Sequence, residues 1–298
     1  MDAKPDLRGA FAESGMIVLR AVVDPELCMR VRESVAPWAR RRPRLGEKYQ
    51  DAWMRHRPVR ELACHRRIMT ELEGLYGRRP IPFQTLNIAH GTQQRLHADS
   101  VHFDSVPSGW MCGAWVALED VGADQGPLVL VPGSHRVAPT VFDEVAERPS
   151  GFDMAAYETA LGERLASAAT EEFHASAGDV VIWHADLAHG GATVKDPASS
   201  RWSQVTHYFF DGFTYVTPML GDRHSGELHV RAPLVDIARR RIVPQRMNGR
   251  RARVVRLGNG RAIVSSGARN DLTPTVRAAS VLRSAWPTHG WPRVWAGL

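Results

Sequence analysis

Gly178-Asp179-Val180-Val181-Ile182-Trp183-His184-Ala185-Asp186-Leu187-Ala188-His189-Gly190-Gly191 is the stretch that decides how this chain is read. Asp179 to Trp183 is a short apolar, β-branched run, which predicts a buried strand. Histidines follow at 184 and 189, and the small residues Gly190-Gly191 allow the backbone a close approach to a site. Working outward, Ile81 to Ala89, Trp110 to Leu118, Leu128 to Val131 and Ser203 to Phe210 have the same strand character, with Gly and Pro turns between them. The alternating βαβ rhythm of a doubly wound sheet is weak. The pattern predicts a mainly β protein with flanking helices, built on a double-stranded β-helix of the jelly-roll, cupin-like kind.

Outside these strands, Met16 to Val22 predicts a short strand, and Asp24-Pro25 opens a helix that carries Leu27, Val31 and Val35 on one face. Pro43 to Pro58 reads as a loop, Cys64 to Tyr76 as a helix stopped near Gly77, and Phe152 to Leu165 as a helical insertion between strands. After about Arg231 further strand signals occur at 253–257 and 262–265, followed by Trp286, Trp291 and Trp295.

The chain has 298 residues, 44% of them hydrophobic, enough for one large domain or two small ones with an ordinary core. It holds no run of 18 apolar residues, so no membrane span is expected. Its N-terminus lacks the apolar region of a signal peptide. Cys28, Cys64 and Cys112 are scattered without a CxxC spacing, which predicts free thiols in a reducing, cytoplasmic setting. Net charge is +6, and nine arginines without one acidic residue fall between Arg239 and Arg261. Such a run attracts anions in general. No zinc-finger spacing or RNA-binding signature accompanies it, so a solvated surface is expected rather than a nucleic-acid site.

A second motif lies upstream, Gln94-Arg95-Leu96-His97-Ala98-Asp99. His97, Asp99 and the distant His189 have the composition of a 2-His-1-carboxylate facial triad, which binds non-heme Fe(II) and leaves positions open. Arg201, twelve residues after His189, enters an apolar strand, where a guanidinium can fork onto the far carboxylate of an oxo-acid. Ser203 can add a hydroxyl to the same carboxylate. His102-Phe103-Asp104 is a second candidate pair, and His184 a second candidate for the distal ligand.

The order of motifs resembles one family. Ser14-Gly15-Met16-Ile17-Val18-Leu19-Arg20, Gln94 to Asp99, Ala114-Trp115-Val116-Ala117-Leu118-Glu119-Asp120-Val121, Gln125-Gly126-Pro127-Leu128, Val131-Pro132-Gly133-Ser134-His135-Arg136 and the Gly178–Gly191 stretch together resemble the phytanoyl-CoA dioxygenase family of Fe(II)/2-oxoglutarate oxygenases. The likeness runs from about Phe11 to Phe210. It implies one oxygenase domain over 1–298, with a jelly-roll region at 11–217 and a basic extension at 218–298 packed on it. It implies Fe(II), 2-oxoglutarate and O2 as cofactor and co-substrates, and a small molecule hydroxylated at a C–H bond, with natural-product tailoring as a fitting setting. Residue by residue, it favours His97 and Asp99 over His102 and Asp104. Gln94 stands three residues before His97, and Trp115 stands eighteen after it, where the family places a tryptophan beside the oxo-acid. It favours His189, the histidine before Gly-Gly, over His184, and gives His135 a turn role. Related halogenases replace the carboxylate with a small residue, so Asp99 argues against halogenation. The Pro43–Arg57 segment, with Trp53, Arg55 and His56, and the segment 101–104 are expected to line the entrance. Two other readings stand beside this one: a non-catalytic jelly-roll binding or sensor protein, and a zinc hydrolase using the same three ligands. The oligomeric state, monomer or homodimer, is open.

Overall fold

The structure, a computed structural model, describes residues 6–42, 44–146, 152–221, 228–247, 250–256 and 262–265. Strands β1 (Met16–Leu19), β2 (Lys48–Gln50), β3 (Pro80–Ile88), β4 (Asp104–Val106), β5 (Met111–Ala117), β6 (Leu128–Leu130), β7 (Glu171–Phe173), β8 (Val180–His184), β9 (His189–Gly191), β10 (Ser203–Phe210) and β11 (Thr214–Val216) form the jelly-roll core. The larger sheet runs β1-β8-β5-β10-β3-β2, and a smaller one runs β7-β6-β9. Every pairing in both sheets is antiparallel. A separate pair joins β4 to β11.

The large sheet has no solvent face, which explains its near-continuous apolar sequence. In β5 and β8, Ala114, Val116, Val180 and Ile182 point to one side, where they share a core with Val31, Val35, Leu62, Ile68 and Leu72 of the helices. Trp115, Ala117, Val181 and Trp183 point to the other side, toward Leu128, Leu130 and Phe173 of the small sheet. The covering helices are α1 (Leu7–Ser14), α2 (Pro25–Arg41), α3 (Arg57–Ala63) and α4 (Arg66–Tyr76). α2 starts where expected, with Asp24 at its N-cap and Pro25 inside its first turn. α4 stops at Gly77, whose φ of 66° is the left-handed cap that glycine adopts without strain.

Helices α5 (Ala138–Ala146) and α6 (Met154–Arg164) fill the insertion. Val141, Phe142, Val145, Tyr157 and Leu161 pack against Ala98, Val101 and Ala188, the neighbours of the candidate ligands. The helix pair therefore buttresses the site from outside.

Three expectations are corrected. The segment from 43 to 58 is not a plain loop: β2 pairs with β3, residues 52–54 make a 3-10 turn, and α3 begins at Arg57. The helix expected from Cys64 starts at Arg66, because His65 is still extended. α1 and α5 were not foreseen. Strands 253–256 and 262–265 do pair with each other, while Trp286, Trp291 and Trp295 lie outside the described residues. Described residues of the extension contact the core: Ile237 N donates to the Pro82 carbonyl at 2.8 Å, Arg79 meets Asp236 at 2.8 Å, and Arg246 N donates to the Phe213 carbonyl at 3.0 Å. No helix among the described residues is long and apolar enough to cross a membrane.

Candidate active site

The two sheets bring His97 and His189 directly opposite each other in an antiparallel bridge. His97 N donates to the His189 carbonyl at 3.0 Å, and His189 N donates back to the His97 carbonyl at 2.9 Å. Asp99 follows two residues later. Its Oδ1 lies 4.0 Å from Nε2 of His97 and 3.9 Å from Nε2 of His189. One ligand atom from each residue falls within 4.8 Å of the others, and all three side chains are buried.

Each imidazole is oriented from behind. Nδ1 of His97 donates to the Arg95 carbonyl at 2.9 Å, and Nδ1 of His189 to the Leu187 carbonyl at 3.0 Å. Both Nε2 lone pairs then face Asp99 Oδ1, the arrangement in which imidazoles bind metals. Burial, with the nearby His189 adding to it, pushes His97 down to about 3, and burial lowers His189 too. Burial alone would raise the Asp99 carboxyl, but His207, His189 and His97 outweigh it and hold it well below the usual carboxylate range.

The second carboxylate oxygen is occupied by the protein. Trp183 Nε1 donates to Oδ2 of Asp99 at 2.9 Å, and His207 Nε2 stands 3.3 Å from the same oxygen. His207 Nδ1 in turn meets the Gln84 side-chain amide oxygen at 2.9 Å. Asp99 is thus fixed with one oxygen tied back and one presented to the histidines. Trp183 reaches it because Gly113 lies on the facing strand, where a Cβ would come within 2.5 Å of the indole.

Gly190 and Gly191 explain how the motifs meet. A Cβ on Gly190 would stand 2.7 Å from the Gln94 carbonyl, and one on Gly191 would stand 2.8 Å from Thr92 Oγ1. Only glycine lets the segment carrying His97 lie against the strand carrying His189.

One cavity between the sheets is lined by the three residues, Lys48, Gln94, Trp115, Arg201 and His207. Arg201 is 2% exposed. Its Nη1 donates to the Gly126 carbonyl at 2.7 Å, and burial lowers its pKa to about 10. Arg201 Nε, Ser203 Oγ and Trp115 Nε1 are all buried without a hydrogen-bond partner. Buried donors are nearly always satisfied, so three orphans in one region mark an acceptor-binding wall. Lys48 Nζ donates to Gln94 Oε1 at 2.7 Å, and Gln94 Nε2 donates to His97 Nε2 at 3.1 Å. Burial lowers the Lys48 pKa, and Asp99 opposes that shift.

The other histidines fall elsewhere. His184 is held against Asp186, 3.5 Å from Nδ1 to Oδ2, with its ring near His135 and Phe11. His102 Nδ1 contacts Met219 Sδ, and Asp104 accepts from Ser105 N and Ser108 Oγ. His135 faces the Ala12 carbonyl in a turn. Of the expected entrance residues, Trp53 is tied to Asp51 and His56 to Tyr49. Three polar residues of the cavity, Trp183, His207 and Lys48, go beyond the sequence expectation. His207 had a signal: it shares the strand parity of Arg201, Ser203 and Val205. Lys48 carries none, because the 43–58 segment has the sequence character of a loop.

A jelly roll that buries two histidines and an aspartate between its sheets is the architecture of the Fe(II)/2-oxoglutarate oxygenases. The sequence matches the phytanoyl-CoA dioxygenase (PhyH) family profile over residues 11–202, and the chain belongs to that family, whose members depend on Fe(II) and 2-oxoglutarate and use O2. No curated protein matches the sequence closely. Among solved structures, the chain is similar to the non-heme alpha-ketoglutarate-dependent carbocyclase SnoK from nogalamycin biosynthesis (19% identity, TM-score 0.60, covering 75% of this chain and 90% of that one). It is also similar to the epimerase SnoN in complex with Fe3+, alpha-ketoglutarate and nogalamycin RO (23%, 0.53, 70% and 84%). EctD from S. alaskensis with bound Fe is a third (17%, 0.55, 73% and 80%). At these identities the likeness concerns the fold.

Proposed function

We propose that His97, Asp99 and His189 bind Fe(II), that Arg201, Ser203 and Trp115 receive the distal carboxylate of 2-oxoglutarate, and that the protein hydroxylates a C–H bond of a small molecule. The observation that carries this reading is the conjunction of two neutral imidazoles and a carboxylate with the unpartnered buried donors of Arg201 and Trp115 in one cavity, and of Ser203 two residues along from Arg201. The donor set suits Fe(II), and the orphan donors suit a carboxylate. When bound, the iron with O2 and 2-oxoglutarate supplies the oxidising power, and 2-oxoglutarate leaves as succinate and CO2.

The residues divide the remaining work. Leu187 and Arg95 carbonyls keep both imidazoles in the Nδ1–H tautomer. Trp183 and His207 tie back one oxygen of Asp99, so the other is the ligand atom. Gln94 Nε2 now occupies the His97 lone pair, and metal uptake requires that NH2 to turn away toward the co-substrate while Oε1 keeps the Lys48 hydrogen bond. Buried Trp115, Leu128 and Val205 exclude water from the centre. Asp99 leaves no vacant halide position, which favours hydroxylation. A carbocyclase and an epimerase share this fold, so the cavity beyond the triad sets the outcome. Natural-product tailoring is the setting we favour, and three free cysteines fit a cytoplasmic location.

The test is succinate formation and iron content in wild type, His189→Ala and His184→Ala. His189→Ala should lose both, whereas His184→Ala should keep iron. Iron retained in His189→Ala and lost in His184→Ala would refute the assignment. Iron binding without succinate from any substrate would favour the sensor reading.

A further inference from the structure

Arg231 is a cation in the core wall that makes no ion pair among the described residues. It lies on an extended segment that bridges to β11 through Val230 and Val216. Its Nη1 donates to Thr217 Oγ1 at 2.8 Å, and its Nε is buried without a partner. Its guanidinium stands 4.7 Å from the Phe103 ring centroid and 5.7 Å from that of Phe83. Asp51 is the anion whose charge it feels. The Asp51 oxygens, however, are already taken by Thr85 N, Trp53 Nε1 and Gln50 Nε2. No carboxylate of a described residue makes an ion pair with Arg231. His229, two residues earlier and on the same face by strand parity, also leaves a buried Nε2 unpartnered.

The position matters because Phe103 joins Arg231 to the candidate active site. The Phe103 ring is 5.1 Å from His207, which reaches Asp99. Phe83 meets Phe103 edge-on at 5.3 Å. It is the extra residue of a bulge in β3, since His207 pairs with Gln84 and Tyr208 with Pro82. Bulges beside active sites re-aim side chains, and this one turns an aromatic ring toward the guanidinium.

We propose that Arg231 is the anion-binding subsite for the substrate: the substrate carries a carboxylate- or phosphate-type group on the free Nε edge of Arg231, and its apolar part lies against Phe103 and Phe83, facing the triad. This deepens the hydroxylase reading and rests on it. A guanidinium edge forks onto two oxygens of one anion, and a partly desolvated site makes that pair strong. The orphan Nε is then satisfied by the ligand. The Phe rings provide a flat apolar wall beside it.

The probes are benzoate, phenyl phosphate and the neutral benzamide, titrated by calorimetry into the full chain without added metal. Wild type should bind one of the two anions at least about tenfold more tightly than benzamide, the worth of a hydrogen bond to a charged group. Which anion is preferred distinguishes carboxylate from phosphate substrates. Arg231→Met should lose that preference, Arg231→Lys should keep part of it, and Arg201→Met should leave it in place. Loss in Arg201→Met alone would locate the anion at the co-substrate wall and overturn the proposal. So would unchanged anion binding in Arg231→Met or Arg231→Lys, or equal binding of benzamide, because either result leaves Arg231 as packing for Phe103. The Lys variant retains the charge and guards against a Met variant that fails to fold. Iron and 2-oxoglutarate binding, measured separately on the same samples, report on the hydroxylase reading itself.

Discussion

Arg201, just before β10, and His207 within it are six residues apart and share one side-chain parity, and each acts through a hydrogen bond that a conservative variant can probe. Arg201→Ala should raise the 2-oxoglutarate requirement by about 10–100-fold, the worth of one or two charge-assisted hydrogen bonds. Arg201→Lys should recover part of that, since lysine keeps charge but not the fork. A Kd for 2-oxoglutarate unchanged in the Ala variant would remove Arg201 from the carboxylate wall. His207→Ala frees Oδ2 of Asp99 from one of its two tethers. Loss of such a partner typically costs about 10–100-fold in metal affinity. Co(II) titration should show that loss, and His207→Gln, which restores a donor, should reverse much of it. Equal affinity in all three proteins would make His207 a packing residue.

Among the elements, the meeting of β9 with the segment before the 3-10 turn at 99–101 depends on two glycines. Gly190→Ala would press a methyl onto the Gln94 carbonyl and push His97 away from His189. Metal affinity should fall while the unfolding transition stays cooperative, which metal titration and calorimetry on one sample will show. The β8–β9 connection carries a separate signature. Burial lifts the Asp186 carboxyl from 3.8 to about 6, so the folded state holds its proton more tightly than the unfolded one. The cost of its charge is absent below about pH 4, grows from pH 4 to 6, and is constant above; a two-unit shift corresponds to roughly 3 kcal/mol. Asp186→Asn should therefore raise Tm at pH 8 and leave it unchanged near pH 4. An equal difference at both pH values would contradict that account.

Across the whole molecule, the legible parts were those with a period or a spacing. β3, β5, β8 and β10 were readable because helices cover one face and the small sheet the other, leaving continuous apolar runs. The triad was readable because HxD and His-Gly-Gly keep their local spacing, and the glycines are demanded by a close approach. What stayed hidden depends on tertiary pairing. Lys48 enters the cavity only because β2 adds to the edge of the large sheet, and Arg231 meets Phe103 only because its segment bridges to β11. His184 and His189 differ locally only in the Gly-Gly that follows His189, and in the fold the bridge to His97 separates them. In the proposed function one centre holds both metal and 2-oxoglutarate. Anaerobic titration of Fe(II) and then 2-oxoglutarate into wild type tests it most directly. A weak visible charge-transfer band should appear only when both are present, and Asp99→Ala and Arg201→Ala should weaken or abolish it. Fe(II) binding with no band at saturating 2-oxoglutarate would contradict the claim.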